Sequence, residues 1–255
     1  MENSAEYKYF TTDKWNNLTI EQRKQLLMFV ENRQAIKQNR CPIPIQFQKI
    51  DGFGSYSRNS QIYVLNEDLL KNNIKSTDYL TGKTEYEFNS FEALDTIIHE
   101  GYHREQHLLA MGNQRVMPHL TGYRREKYRE KVCENFLNYS TPNYNLKGRG
   151  LTSFPEYYLQ PLEISVVMNT TSDLIFNDAL YPDKEYQFFL NEKIDEEKKV
   201  RTEALRVYGP NYERILSELR EIRGVRPYQA SQIEHRYRDI ERKYELDNRQ
   251  SLRRR

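Results

Sequence analysis

At 255 residues the chain is long enough to bury a substantial core, and one or two domains are expected. Charged residues make up 30% of the chain and the mean hydropathy is −0.93, which predicts a soluble, polar and helix-rich protein. The formal net charge of +2 does not indicate a dedicated nucleic-acid binder, and no apolar run is long enough for a membrane span.

The N-terminus and the cysteines bear on the cellular compartment. Residues Met1 to Glu6 are polar and acidic, so they do not resemble a secretory signal peptide. The two cysteines, Cys41 and Cys133, provide neither a disulfide framework nor a Cys-x-x-Cys pair. We therefore expect a reducing compartment, with a cytoplasmic location as the default. A protein delivered by a dedicated secretion machine would show the same features.

The first part of the chain predicts a helix followed by a small sheet. The helix extends from Leu18 to Gln38, and it opens at Thr19 with Gln22 in the capping-box position. Alternating side chains from Ile43 to Ile50 predict a strand. The segments that follow predict a turn, a second strand and a short helix, at residues 51–55, 60–65 and 66–70.

The next predicted helix, from Asn89 to Met111, carries the most informative pattern in the sequence. Asn89 is expected to cap it, with Glu92 as the capping-box partner. Apolar residues recur near one face of this helix at helical spacing, and we expect them to be buried. They are Leu94, Ile98, Tyr102, Leu108 and Leu109.

This helix contains the string His-Glu-x-x-His. His99 and His103 lie four residues apart, so a helix turns both imidazoles to the same side, where they can bind one zinc ion. Glu100 can then act as the catalytic base on a water molecule. The alternative is a surface pair of histidines without a metal. Gly101 costs about 1 kcal/mol relative to alanine in a helix interior, which indicates that another backbone or a substrate passes close by.

A catalytic zinc ion usually has three protein ligands, and Glu163 is the preferred third candidate. It follows Pro161, which suits the first turn of a helix. The alternatives are that Glu163 only favours the helix N-terminus electrostatically, or that Glu156 is the ligand, although Glu156 fits a capping box with Ser153 better. His107 lies too far along the helix from His99 to bind the same zinc ion. It is expected behind the ligands or at the edge of the core.

The remaining sequence predicts further helices and a domain boundary. A charged helix is expected from Tyr123 to Tyr139, followed by a loop at 140–153 near the cleft. The segment Tyr181-Pro182-Asp183-Lys184 is a predicted boundary, beyond which long charged helical stretches follow. We therefore predict a catalytic domain at 1–180 and a helical C-terminal region at 181–255.

These motifs resemble those of the zincin metallopeptidases, and more narrowly the gluzincin type, in which His-Glu-x-x-His is joined by a downstream glutamate. The resemblance rests on residues 99–103, on the Gln160-Pro161-x-Glu163 segment, and on the strand-like stretch before them. It implies an α+β, helix-rich fold whose zincin-like core has a small sheet next to the motif helix. The edge of that sheet would border the cleft, where an extended peptide could pair with it.

The resemblance also implies roles for other residues. An oxyanion donor is expected from a tyrosine or a histidine, and a second carboxylate is expected to orient the zinc histidines. The candidates for the oxyanion donor are Tyr157, Tyr158 and His119. The candidates for the orienting carboxylate are Asp95 and Asp173. The histidine pattern that ends at His107 is also similar to zincin-like proteins that cleave bacterial repressors.

The function predicted from the sequence is that of a zinc-dependent metallopeptidase acting on a peptide or protein substrate. The first alternative is a zincin-like effector or toxin domain that acts on one specific protein. The second is a non-catalytic binding protein that uses the charged helical C-terminal region. Bound metal distinguishes the two catalytic hypotheses from the third, and the sequence leaves the oligomeric state open.

Overall fold

The protein is described by a computed structural model that covers residues 5–77, 84–137 and 160–209, with residues 214, 232, 235, 236, 238–240 and 242 nearer the C-terminus. Its helices are α1 (Thr12–Asn16), α2 (Ile20–Lys37), α3 (Asn89–Ala110), α4 (Gly122–Leu137), α5 (Pro161–Ile175) and α6 (Lys184–Tyr208), with short 3₁₀ helices at Ala5–Phe10 and Glu67–Leu70. Its strands are β1 (Ile45–Gln48), β2 (Gly54–Ser57), β3 (Ile62–Asn66), β4 (Ile74–Thr77) and β5 (Thr84–Glu87). The fold is therefore α+β and helix-rich, with little sheet.

Helix α2 begins where the sequence predicts. The Thr19 hydroxyl accepts a hydrogen bond from the Gln22 backbone N–H at 3.2 Å, and the Gln22 side-chain oxygen accepts one from the Thr19 backbone N–H at 2.9 Å. This reciprocal pair satisfies two backbone donors that the first turn of a helix leaves without intrahelical partners. The predicted capping box and helix are both confirmed.

The main sheet has three strands in the order β1-β3-β2, with β1 parallel and β2 antiparallel to β3. The prediction of a turn over 51–55 is wrong in its second half, because β2 begins at Gly54. A Cβ atom at Gly54 would come within 2.6 Å of Thr96 Cγ2 on α3 and 2.7 Å of Leu65 Cδ2 on β3. This glycine therefore permits close packing of the strand, which the sequence alone does not distinguish from a turn.

Helix α3 lies at the centre of the fold and contacts α2, α4, α5 and the main sheet. Its predicted N-cap is wrong: Phe88 occupies that position, and the Asn89 side chain donates instead to the Asn72 carbonyl at 2.9 Å. Four of the five predicted core residues are buried, whereas Leu108 is half-buried. The helix is therefore held by its packing rather than by a side-chain cap.

One large apolar cluster joins the sheet, α2, α3, α5 and α6. From α6 it includes Tyr186, Phe189, Leu190 and Ile194, which pack into the same core as residues of α3. Ile240, from the C-terminal segment, is also buried in this core. The domain boundary after residue 180 stays a prediction. In the described part of the chain, no helix combines the length and apolar character that a bilayer crossing requires.

Candidate metal centre

Three side chains from two helices converge at one point. His99 and His103 come from successive turns of α3, and their Nε2 atoms are 3.0 Å apart. Glu163 comes from the first turn of α5, and one of its carboxylate oxygens lies 3.0 Å from His103 Nε2 while the other lies 3.5 Å from His99 Nε2. The three residues predicted as metal ligands therefore lie together in the structure.

The spacing of these atoms is short enough for one cation to contact all three residues. Ligands at about 2.0–2.2 Å from zinc are separated from one another by about 3.3–3.6 Å at tetrahedral angles and by about 2.8–3.1 Å at right angles. The distances of 3.0, 3.0 and 3.5 Å among the two Nε2 atoms and the two Glu163 oxygens fall within these ranges. The side chains of His99 and His103 are 21% and 11% exposed, so a cation can reach the site from solvent.

The location of Glu163 follows from the start of α5. Pro161 occupies the first helical turn, where its missing N–H has no intrahelical role, and Glu163 follows two residues later. The Glu163 side chain is fully buried. Although burial opposes ionisation, the imidazole of His103, with a smaller effect from His99, holds the pKa of Glu163 well below its ordinary value. An ionised carboxylate in this position is an appropriate ligand for a divalent cation.

His103 and Glu163 hold each other in charged form when no metal separates them. Although burial opposes protonation, the Glu163 carboxylate raises the pKa of His103 to about 9, with smaller contributions from Glu100 and Gln106. The protonated imidazole therefore substitutes for a cation between the ligands. A metal ion has to displace this proton, because only a neutral imidazole can coordinate it.

Glu100 lies next to the ligands and is 7% exposed. Burial raises the pKa of its carboxyl group, and the neighbouring imidazoles of His103 and His99 partly oppose that effect. The backbone of Tyr56, on β2, has a smaller effect in the same direction as the imidazoles. Glu100 is thus a carboxylate held in a poorly hydrated environment, which strengthens it as a proton acceptor.

Gly101 provides room for side chains from α2 and the segment after it. A Cβ atom at this position would lie 3.0 Å from Gln34 Cγ and 3.1 Å from Arg40 Nη2. Arg40 cannot easily move, because it forms two hydrogen bonds of 2.6 and 2.8 Å with Glu31 and both side chains are fully buried. The expected close approach is therefore present, but it is made by side chains rather than by a backbone or a substrate.

His107 does not belong to the ligand group. Its Nδ1 atom shares a hydrogen bond of 2.8 Å with the Tyr56 hydroxyl, and the residue is half-buried. Burial, together with the nearby positive charges of Arg58 and Arg104, lowers the pKa of this imidazole. The location at the edge of the core confirms the prediction made for it.

Two predicted orienting carboxylates have other partners. Asp95 pairs with Lys193 of α6 at 2.9 Å. Asp173 accepts a hydrogen bond of 2.7 Å from the Tyr102 hydroxyl and also pairs with Lys37 of α2. Both carboxylates tie helices together, so the expectation that they orient the zinc histidines is wrong. Their location on the right helices is not sufficient, because the tertiary packing decides which side chains each carboxylate meets.

Some predicted site residues fall in other parts of the chain. Glu156, Ser153, Tyr157 and Tyr158 lie outside the described residues, as does the loop at 140–153. His119 is described and is exposed in the loop between α3 and α4. The alternative ligand and the oxyanion donor therefore stay predictions.

Two residues that sequence reasoning did not assign also contact the site. The backbone of Tyr56 affects the pKa of Glu100, and Gln106 lies three residues after His103 on α3 with its side chain fully buried. The spacing of Gln106 from His103 is a usable signal, because residues three apart on a helix are neighbours. No signal in the sequence indicates Tyr56, because its role comes from how β2 packs on α3.

Comparison with known proteins does not assign a family, since no family model, curated protein or solved structure matches the chain. The resemblance to zincins therefore stays a prediction that depends on the residues of this site. Function has to be argued from the same residues.

Proposed function

We propose that the protein is a zinc-dependent metallopeptidase that hydrolyses peptide bonds in a peptide or protein substrate. The observation that carries the proposal is the convergence of ligand atoms from His99, His103 and Glu163 beside the buried carboxyl group of Glu100. Three ligands leave one coordination position open for a water molecule or substrate, which is the arrangement of catalytic rather than structural zinc sites.

The donor set supports zinc as the cation. Two imidazole nitrogens and one carboxylate oxygen suit a metal of intermediate softness, whereas magnesium and calcium prefer sites made of oxygen atoms. The ligand atoms of the three residues lie close enough together to bind one cation. Among the common metals, zinc is the one that catalytic sites bind through two histidines and a glutamate.

The reaction requires proton transfer, for which Glu100 is well suited. A zinc ion supplies Lewis-acid activation of a water molecule and of the carbonyl group under attack. Because burial raises the pKa of Glu100, its carboxylate is a better base than an exposed glutamate. Glu100 would accept a proton from the attacking water and deliver it to the leaving amine nitrogen.

The edge of β2 supports a peptide as the substrate. Among the described strands, β2 pairs with β3 alone, and it also packs against α3. The backbone of Tyr56 on this strand favours the ionised form of Glu100, so the strand and the proposed base are adjacent. An extended peptide that pairs with the remaining part of this edge would bring its backbone close to the metal ligands.

The test is digestion of a mixed peptide library by the zinc-loaded protein, with Glu100→Gln as the matched variant. The amide keeps the size of the side chain but cannot act as the base, so hydrolysis should fall by about 100- to 10,000-fold. Zinc content should stay the same as in the wild type. Cleavage by the variant at the wild-type rate would contradict the role of Glu100. If neither protein cleaves the library although both bind zinc, generic peptides are not substrates and the search should move to single protein targets.

A further inference from the structure

Gln106 connects the two helices that carry the metal ligands. Its side chain is fully buried, and its Nε2 atom donates a hydrogen bond of 3.3 Å to the backbone carbonyl of Leu162, the residue before Glu163. Since a carbonyl oxygen can only accept hydrogen bonds, this contact fixes which end of the amide is nitrogen. The Leu162 carbonyl therefore takes up the nitrogen of the amide and leaves the side-chain oxygen, Oε1, for another contact.

The Oε1 atom of Gln106 is a buried acceptor that needs a donor. It meets no donor at full hydrogen-bond geometry within the described part of the chain. Leaving such an atom unsatisfied costs about 1–3 kcal/mol. A donor within reach is the ring of His103 on α3, because residues three apart on a helix are neighbours.

The geometry of His103 leaves one ring nitrogen for this contact. Its Nε2 atom lies 3.0 Å from both His99 Nε2 and a Glu163 oxygen, so it faces the proposed metal position. A metal on Nε2 leaves the ring hydrogen on Nδ1. Metal-bound histidines almost always donate this second N–H to a protein acceptor, which sets the tautomer and the ring orientation.

We propose that Gln106 is a positioning residue whose Oε1 accepts a hydrogen bond from Nδ1–H of His103 while its Nε2 holds the Leu162 carbonyl. A single amide thereby orients one ligand directly and holds the backbone beside another. This inference rests on the proposed zinc site and adds a link between its two halves. Gln106 itself touches neither the metal nor the substrate.

The experiment measures the zinc dissociation constant of purified protein by competition with a chelator. Gln106→Met keeps the length of the side chain and removes both hydrogen bonds. Loss of such an orienting partner typically weakens metal binding by about 10- to 100-fold, which is the expected result. Ser90→Ala is the matched control, because Ser90 is also fully buried on α3 and bonds to another segment through the Phe10 carbonyl. It should lower thermal stability without changing zinc affinity.

A second measurement covers the case in which Gln106→Met does not fold. Nitrogen-15 NMR of the histidine rings in the zinc-loaded wild type should show His103 with zinc on Nε2 and a slowly exchanging hydrogen on Nδ1. A hydrogen on Nε2, or unchanged zinc affinity in a folded Gln106→Met variant, would overturn the inference while leaving the metallopeptidase proposal intact. Failure of the wild type to bind zinc would overturn both.

Discussion

His103 and Glu163 show how single residues prepare the site for a cation. Each stabilises the charged form of the other in a buried location, with the pKa of His103 raised to about 9 and that of Glu163 lowered. Because the folded-state pKa of His103 exceeds the ordinary value of 6.5 and that of Glu163 lies below the ordinary value of 4.5, this pair stabilises the fold fully between pH 4.5 and 6.5. The contribution is lost as the pH rises through about 9.

The proton shared by this pair predicts how zinc affinity depends on pH. Zinc must displace the proton from His103, so affinity should rise about tenfold per pH unit between pH 6.5 and about 9. Titration calorimetry in buffers of different ionisation enthalpy should detect about one proton released per zinc bound. Affinity that does not change over this range would show that His103 is already neutral in the metal-free protein and that no proton is shared with Glu163.

Glu163 can be tested as a ligand with the isosteric change Glu163→Gln. Removing the charge from a direct ligand should weaken zinc binding by more than the roughly 10- to 100-fold typical of residues behind the ligands. Glu156→Gln is the matched control, since Glu156 is the alternative ligand in the sequence. Elemental analysis after gel filtration measures the zinc content of both variants. Equal zinc content in the two variants would remove Glu163 from the site.

At the scale of elements, the packing of α3 against α2 explains why the motif contains glycine. Alanine at position 101 would gain about 1 kcal/mol in helix propensity, but its Cβ would press on Gln34 and on the buried Arg40. We expect Gly101→Ala to lower the free energy of unfolding by about 1–3 kcal/mol, measured by urea denaturation of metal-free protein.

A double-mutant cycle checks the physical reason for this loss. Gln34→Ala removes the nearest contact, with Gln34 Cγ at 3.0 Å from the added Cβ, so Gly101→Ala should cost less in that background. If the effects of the two substitutions simply add, the loss does not come from this contact. Zinc binding by the Gly101→Ala variant then shows whether the metal site still forms when position 101 carries a methyl group.

The sequence predicted those elements whose signals are local. The capping box of α2 and the spacing of His99 and His103 lie within a few residues of one another, and all are as expected. The position of Glu163 after Pro161 is a local signal, and it indicates a residue in the first turn of a helix. Its contact with His103 of α3 joins residues 60 apart in the chain, so no local signal indicates that contact. The errors at Asn89 and Gly54 share one cause, because tertiary contacts gave both residues other partners.

At the scale of the whole molecule, contacts at both ends of α5 hold it against α3. Near the end of α5, Asp173 is bonded to Tyr102 of α3 and Lys37 of α2. At the start of α5, Glu163 reaches the two histidines, and Gln106 holds the adjacent carbonyl. Helix α6 packs on α5 and completes the core around them. These contacts would support the two ligand-bearing helices around a zinc ion.

The metal content of the whole protein is the decisive quantity for the proposed site. We predict one tightly bound zinc ion per chain in protein purified without chelators, measured by elemental analysis, and its loss in the variant that carries both His99→Ala and His103→Ala. Zinc should also raise the thermal unfolding temperature of the wild type alone, because it binds the folded state. Wild-type protein that holds no zinc when the metal is supplied in excess, or a double variant that retains it, would show that these residues do not form a zinc site.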